Sequence, residues 1–175
     1  MERRAFGTQG LEVRSEEERI LSGTLVPYGS PTKIGGYTEE FRSGAFDGAD
    51  PEQIPLLTGH AHAQLPIGRT LTLTDTPSAL VGEWRVSATQ AGDEVMALAR
   101  DGVPLCLSIG FRPTHDQWSR DRTHVVRAKA TLDEVSVVGV GAYSEAKVTS
   151  VRTDEQVSNA LDTSPRLHIA RLLRP

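Results

Sequence analysis

The sequence predicts a mainly β fold, a closed or nearly closed antiparallel β-barrel with peripheral helices, and three observations lead there. Short β-prone runs separated by Gly, Pro and polar turns recur from Arg19 to Val140. Strong helical patterning is confined to residues 91–100, too little helix for a doubly wound α/β sheet. The chain, at 175 residues, is about one domain long, enough to bury roughly two-thirds of its unfolded surface without metals or disulfides.

Each element follows from its local pattern. Residues 19–28 form a β-prone run closed by Gly29, Ser30 and Pro31, hence a strand and a turn. A polar, Gly-rich stretch runs on to Asp50. It holds Phe41-Arg-Ser-Gly-Ala-Phe46, read as a loop or one helical turn within a surface excursion. Residues 54–60 read as a strand entering a loop, and 67–74 as a second strand by alternation of Ile67, Arg69, Leu71 and Leu73 with Gly68 and threonines. Residues 79–88 alternate more weakly and make a third. In 91–100, Val95, Met96, Leu98 and Ala99 gather on one side of a helix. Asp93 and Glu94 lie in its first turn, and Gly102 and Pro104 end it. Residues 105–112 alternate strictly, with Leu105, Leu107, Ile109 and Phe111 on one face and Cys106, Ser108, Gly110 and Arg112 on the other. After the hydrophilic 114–122, the Val-rich 124–140 predicts a doubly buried strand pair or one long bent strand. Thr153-Asp-Glu-Gln156 is a capping-box pattern, so residues 1–152 form the domain and 153–175 a C-terminal helix and tail.

Composition removes several function classes. The single Cys106 leaves no internal disulfide framework or cysteine-rich zinc site and suits a reducing compartment. A net charge of −4 with no Lys/Arg block argues against a nucleic-acid partner. Apolar runs such as 135–140 are too short to span a bilayer, and the N-terminal Met-Glu-Arg-Arg-Ala-Phe does not read as a signal peptide. The expectation is a cytoplasmic, non-membrane protein.

Three residues could carry chemistry. Ser108 stands between Cys106 and Gly110 on a strand face of little bulk, open to a substrate backbone, although such a serine also suits packing against a neighbouring helix. His60 and His62 follow a strand end, where an imidazole can be half buried and still serve as a general base. One of the two is a bystander. Their His-x-His spacing also suits zinc, but His115, His124 and His168 offer no complementary spacing, so no metal or other cofactor is expected. Glu134 alternates with Leu132, Ser136 and Val138 on a strand whose other face carries Val135 and Val137. Its desolvated carboxylate requires a partner, either a histidine N–H or an arginine such as Arg69 or Arg127. Asp133, on the opposite face, is the fallback acid.

Five segments in order, from Ile20 to Arg152, resemble the prohead maturation proteases of tailed phages, a serine protease family related in fold to the herpesvirus assemblins. They are Gly23-Thr-Leu-Val-Pro-Tyr-Gly29, Glu40-Phe-Arg-Ser-Gly-Ala-Phe46, Leu56-Leu-Thr-Gly-His60 with Pro66-Ile-Gly-Arg69, Leu107-Ser-Ile-Gly-Phe111, and Leu132-Asp-Glu-Val-Ser-Val-Val138. The resemblance implies Ser108 as nucleophile, His60 rather than His62 as general base, and Glu134 as the acid that orients it. It implies an endopeptidase that removes scaffold segments from the major capsid protein and cleaves itself inside the immature capsid, in the host cytoplasm, with homodimerisation by analogy. Two departures stand out: the extra His62, and Gly139-Val-Gly-Ala-Tyr143 where relatives more often carry proline and asparagine. The Gly139 to Gly141 turn is the candidate source of oxyanion donors. A non-catalytic capsid scaffolding module on the same fold and a small-substrate esterase are the competing readings.

Overall fold

A computed structural model describes residues 1–6, 12–15 and 18–139. The strands are β1 (Glu2–Phe6), β2 (Glu12–Ser15), β3 (Ile20–Pro27), β4 (Thr32–Ile34), β5 (Tyr37–Phe41), β6 (Pro55–Thr58), β7 (Gly68–Asp75), β8 (Ala79–Val86), β9 (Cys106–Trp118) and β10 (His124–Val138). One helix, α1 (Gln90–Arg100), and a 3-10 turn at Pro51–Gln53 complete the described elements. The predicted C-terminal helix and tail lie outside the described residues.

All ten strands belong to one sheet, in the order β1-β9-β10-β6-β7-β8-β3-β2, with the β4–β5 hairpin attached to β10. The sheet curls into a half-barrel and does not close. The mainly β expectation holds, while the closed or nearly closed antiparallel barrel is corrected on two points. The terminal strands β1 and β2 are not paired with each other among the described residues. In addition, β10 is antiparallel to β9 but parallel to both β5 and β6. The cause is the great length of β10, whose first half takes β5 and whose second half takes β6 on the same edge. Three register shifts along β9–β10 bend this ribbon.

The Val-rich segment is thus one long bent strand. Its partner β9 runs on to Trp118, through residues that read as hydrophilic connection. From Thr114 onward β9 carries mostly exposed or half-exposed side chains, so its ladder to β10 replaces the apolar alternation that marks a strand. The stretch from Pro31 to Asp50 is not a surface excursion either. It forms the β4–β5 hairpin, and Phe41, Ala45 and Phe46 sit in the core, with the Phe41, Phe46 and Phe111 rings in mutual contact. On β7, Thr70 is buried, while Leu71 and Leu73 are half-buried. A bulge between Thr70 and Thr72 breaks the expected alternation.

The helix forms as expected. Thr89 caps it by accepting from the Gly92 N–H, and Gly102, at φ +71°, follows its end. It buries Val95, Met96 and Ala99 against the sheet. Leu98 is exposed, because its position turns away from the stripe formed by residues 92, 95, 96 and 99.

Beside the apolar core lies an ion cluster. Buried Glu39 on β5 accepts from Arg4 Nε on β1 at 2.5 Å and from Arg127 Nε on β10 at 2.6 Å. Arg127 also reaches Asp116 on β9 at 2.6 Å and Glu2 on β1 at 2.8 Å. Both guanidinium groups lie against the Phe111 ring. Burial works against the Arg127 charge, yet Glu39, Glu2 and Asp116 together hold its pKa above the ordinary arginine value.

Candidate active site

The site is assembled by the β9–β10–β6 portion of the sheet. Ser108 faces Ser136 across the antiparallel ladder, and Glu134 faces Gly110 two residues along. Directly opposed residues share a face, so Ser108, Gly110, Glu134 and Ser136 form one small patch of polar and glycine residues, flanked along both strands by buried Leu107, Ile109, Val135 and Val137. A register shift between Leu132 and Glu134 leaves Asp133 as the unmatched residue. Its side chain turns outward and pairs with exposed Arg112 at 2.7 Å, which removes the fallback acid from the site.

Parallel pairing with β10 fixes where β6 ends. Leu56, Leu57 and Thr58 match Val135, Ser136 and Val137. The chain then turns through two successive left-handed residues, Gly59 at φ +56° and His60 at φ +58°. That conformation is free for glycine and costs a non-glycine residue about 1 kcal/mol. Two hydrogen bonds to β10 hold the turn: Gly59 N–H donates to Val137 C=O at 3.0 Å, and His60 N–H donates to Ser136 Oγ at 3.1 Å.

In this turn the His60 ring spans the gap between acid and alcohol. Nε2 lies 2.6 Å from Ser108 Oγ and Nδ1 lies 2.5 Å from Glu134 Oε1. With the proton on Nδ1, the imidazole donates to the carboxylate and Nε2 accepts from the serine hydroxyl. The second carboxylate oxygen, Oε2, accepts from the Ser136 hydroxyl at 2.7 Å. Exposure is graded: Ser108 is 0 % exposed, the Glu134 side chain 2 % and the His60 side chain 13 %. Such a chain of hydrogen bonds can move a serine proton to Nε2 while the carboxylate stabilises the resulting imidazolium.

The other residues singled out in the sequence lie elsewhere. His62 is exposed in the loop after His60, and its backbone N–H donates to His60 C=O. Of the arginines considered for Glu134, Arg127 is engaged by Glu39, Glu2 and Asp116, and Arg69 is exposed on β7. Among the described residues, no group of three or more His, Cys, Asp or Glu could hold a metal ion. Of the glycine-rich turn considered for oxyanion donors, only Gly139 is described, as an exposed bend. Val140 and Gly141 lie outside the described residues.

Sequence reasoning missed two contributors. The sequence pattern presents Ser136 only as a strand neighbour of Glu134, and Gly110 only as a small residue. A Cβ at Gly110 would lie 2.5 Å from Glu134 Oε1, so the glycine makes room for the carboxylate. The signal was present: three small residues at alternating positions of β9 imply something bulky lying over them. The short, charged Glu2–Phe6 segment carries no strand pattern in the sequence, yet it forms β1. It pairs with β9 so that Ala5 faces Ser108.

Among solved structures, the chain is similar to the bacteriophage T4 capsid assembly protease gp21, with a TM-score of 0.54 and 11 % identity over 78 % of this chain and 96 % of that one. At that identity the likeness establishes the fold. No curated protein matches the chain. The model of the caudovirus prohead serine protease family matches residues 9–160, a span that takes in the Ser108, His60 and Glu134 segments, and the chain belongs to that family.

Proposed function

We propose that this protein is a serine endopeptidase of phage capsid maturation, with Ser108 as nucleophile, His60 as general base and Glu134 as the acid that orients the imidazole. The observation that carries the reading is the unbroken relay from Ser108 Oγ through both His60 nitrogens to Glu134, built from three elements far apart in the chain. Membership of the prohead protease family supports it independently. The substrates are scaffold segments of the major capsid protein and the protease itself, inside the immature capsid in the host cytoplasm. Residues 1–152 carry the activity.

The chemistry is acyl transfer. His60 Nε2 takes the proton as Ser108 Oγ bonds to the scissile carbonyl carbon. The same proton passes to the leaving amine as the C–N bond breaks, giving an acyl-enzyme. Water, deprotonated by His60, then releases the new carboxyl end and regenerates the serine. Glu134 keeps the imidazole in the required tautomer and stabilises its charged form. Backbone N–H donors at the oxyanion would contribute roughly 3 kcal/mol each to lowering the barrier.

The test is Ser108→Ala in capsid assembly with the major capsid protein. Loss of scaffold cleavage from a folded protein is expected, and cleavage at the wild-type rate overturns the assignment. Glu134→Gln should lower turnover on the order of 10⁴-fold by presenting the wrong hydrogen-bonding partner to Nδ1. The complete burial of Ser108 favours a second reading for comparison, a capsid scaffolding module in which the same hydrogen bonds only brace the sheet. A serine-directed fluorophosphonate separates the two: covalent labelling of Ser108 supports the enzyme, and folded protein that resists labelling supports the module.

A further inference from the structure

The geometry points to Ser136 as a positioning residue of this site, one hydroxyl that holds the acid and the turn carrying the base in register. The inference rests on the catalytic assignment proposed above.

Ser136 is 0 % exposed and lies between Val135 and Val137 on β10. Packing alone would be served there by alanine or another small apolar residue, whereas a buried hydroxyl must be hydrogen-bonded to be tolerated. Its two bonds are directional. A serine hydroxyl has one proton to give, and that proton goes to Glu134 Oε2 at 2.7 Å. The oxygen lone pairs remain to accept the His60 backbone N–H at 3.1 Å. Ser136 therefore touches both partners of the Nδ1 to Oε1 hydrogen bond without lying between them.

Removing the hydroxyl takes a partner from each side at once. Glu134 loses the donor at Oε2 and is freed to rotate about its remaining bond to the imidazole. His60, in the left-handed region at φ +58°, then has the neighbouring Gly59 N–H to Val137 C=O bond as the backbone tie of its turn to β10, beside the ring's own bond to the loosened Glu134. Strained backbone persists only where its surroundings over-determine it. The turn then relaxes, and the 2.6 Å contact between Nε2 and Ser108 Oγ lengthens. Because Ser136 does not touch substrate in this scheme, the deficit falls on nucleophile activation and not on binding.

The experiment compares wild type, Ser136→Ala, Ser136→Thr and Ser108→Ala by two readouts. One is the rate at which a fluorophosphonate labels Ser108. The other is the proton NMR signal of His60 Nδ1–H. In Ser136→Ala the labelling rate should fall about 10- to 100-fold, the size of effect that a misplaced catalytic group produces, and the downfield Nδ1 proton should shift or exchange away. Ser136→Thr, which keeps the hydroxyl, should recover both. Labelling at the wild-type rate with an unmoved Nδ1 proton in folded Ser136→Ala overturns the positioning role while leaving the enzyme reading intact. A slower rate explained wholly by loss of folded protein, with the Nδ1 signal unchanged in the remainder, also overturns it. Wild type that is never labelled at Ser108 overturns both readings together.

Discussion

Gly110 stands directly across the β9–β10 ladder from Glu134, and the space a side chain would occupy at 110 is filled by the carboxylate, with a notional Cβ 2.5 Å from Oε1 and 2.9 Å from Cγ. Because Glu134 is buried, it has no solvent side into which to retreat. Gly110→Ala should therefore push the carboxylate off Nδ1. We expect turnover to fall by about 100-fold, as for a misplacement near 1 Å, and stability to fall by about 1–3 kcal/mol from overpacking. Cleavage assays and a urea midpoint check the pair of effects. Wild-type turnover in Gly110→Ala would show that Glu134 does not depend on that space.

The chemical groups were legible because each carries a short-range signal. Ser108 lies on a strictly alternating strand, Glu134 is a carboxylate at the head of a Val-rich strand segment, and His60 follows an apolar run that stops at glycine. What holds them together was not legible. Closure of the sheet depends on whether β1 meets β2, and parallel pairing of β5 and β6 with one long strand is a long-range matter that no local alternation encodes. Phe41, Ala45 and Phe46 are core residues in a segment whose glycines and charges masked them. The N-terminal Glu2–Phe6 strand is held by its ladder to β9 and by ion pairs of half-exposed Glu2 and largely buried Arg4 with residues far along the chain, which no local pattern encodes.

The two histidines are separated by their surroundings. His60 is mostly buried between a hydroxyl and a carboxylate, while His62 is exposed two residues later. His62→Ala should leave cleavage within about threefold of wild type, as expected for a surface substitution worth no more than ~0.5 kcal/mol. If His60 is the base of the proposed triad, His60→Ala should lose at least about 10³-fold, since members of such a triad act as a unit. The reverse result, measured on the same substrate, would move the base to His62.

Tyr28 predicts an alkaline limit to stability. Burial, reinforced by the hydrogen bond its hydroxyl donates to Asp75 Oδ2 at 3.0 Å, raises the phenol well above its ordinary value. Folding thus favours the protonated form. Its contribution is complete below the unfolded value of about 10 and is lost as pH rises above it toward the folded value. The denaturation midpoint should fall as pH increases beyond about 10, and Tyr28→Phe should flatten that decline. An equally steep decline in Tyr28→Phe would assign the loss to other groups.

Glu39 is the hub that fastens the N-terminal strand beside Ser108. It is 0 % exposed and receives one guanidinium from β1 and another from β10, so its removal takes the buried carboxylate from two cations, leaving the nearly buried Arg127 with Asp116 and Glu2 and Arg4 with Glu2 and the Tyr37 hydroxyl. Breaking one partner out of a buried ion pair costs about 3–5 kcal/mol, much more than the intact pair contributes, because the remaining charge is left desolvated. Glu39→Gln keeps the shape and removes the charge, so it should destabilise by about that amount. Part of the cost should appear locally. With the Arg4 to Glu39 pair gone, β1 keeps its ladder to β9, the Arg4 contact with the Tyr37 hydroxyl and the Glu2 bond to Arg127, and the amides of Arg4 and Ala5 should exchange faster than those of β7 and β8. Since Ala5 faces Ser108 across that ladder, loosening β1 should also slow fluorophosphonate labelling of Ser108. A Glu39→Gln protein with a normal melting midpoint and unchanged exchange in β1 would show that the cluster does not anchor the strand.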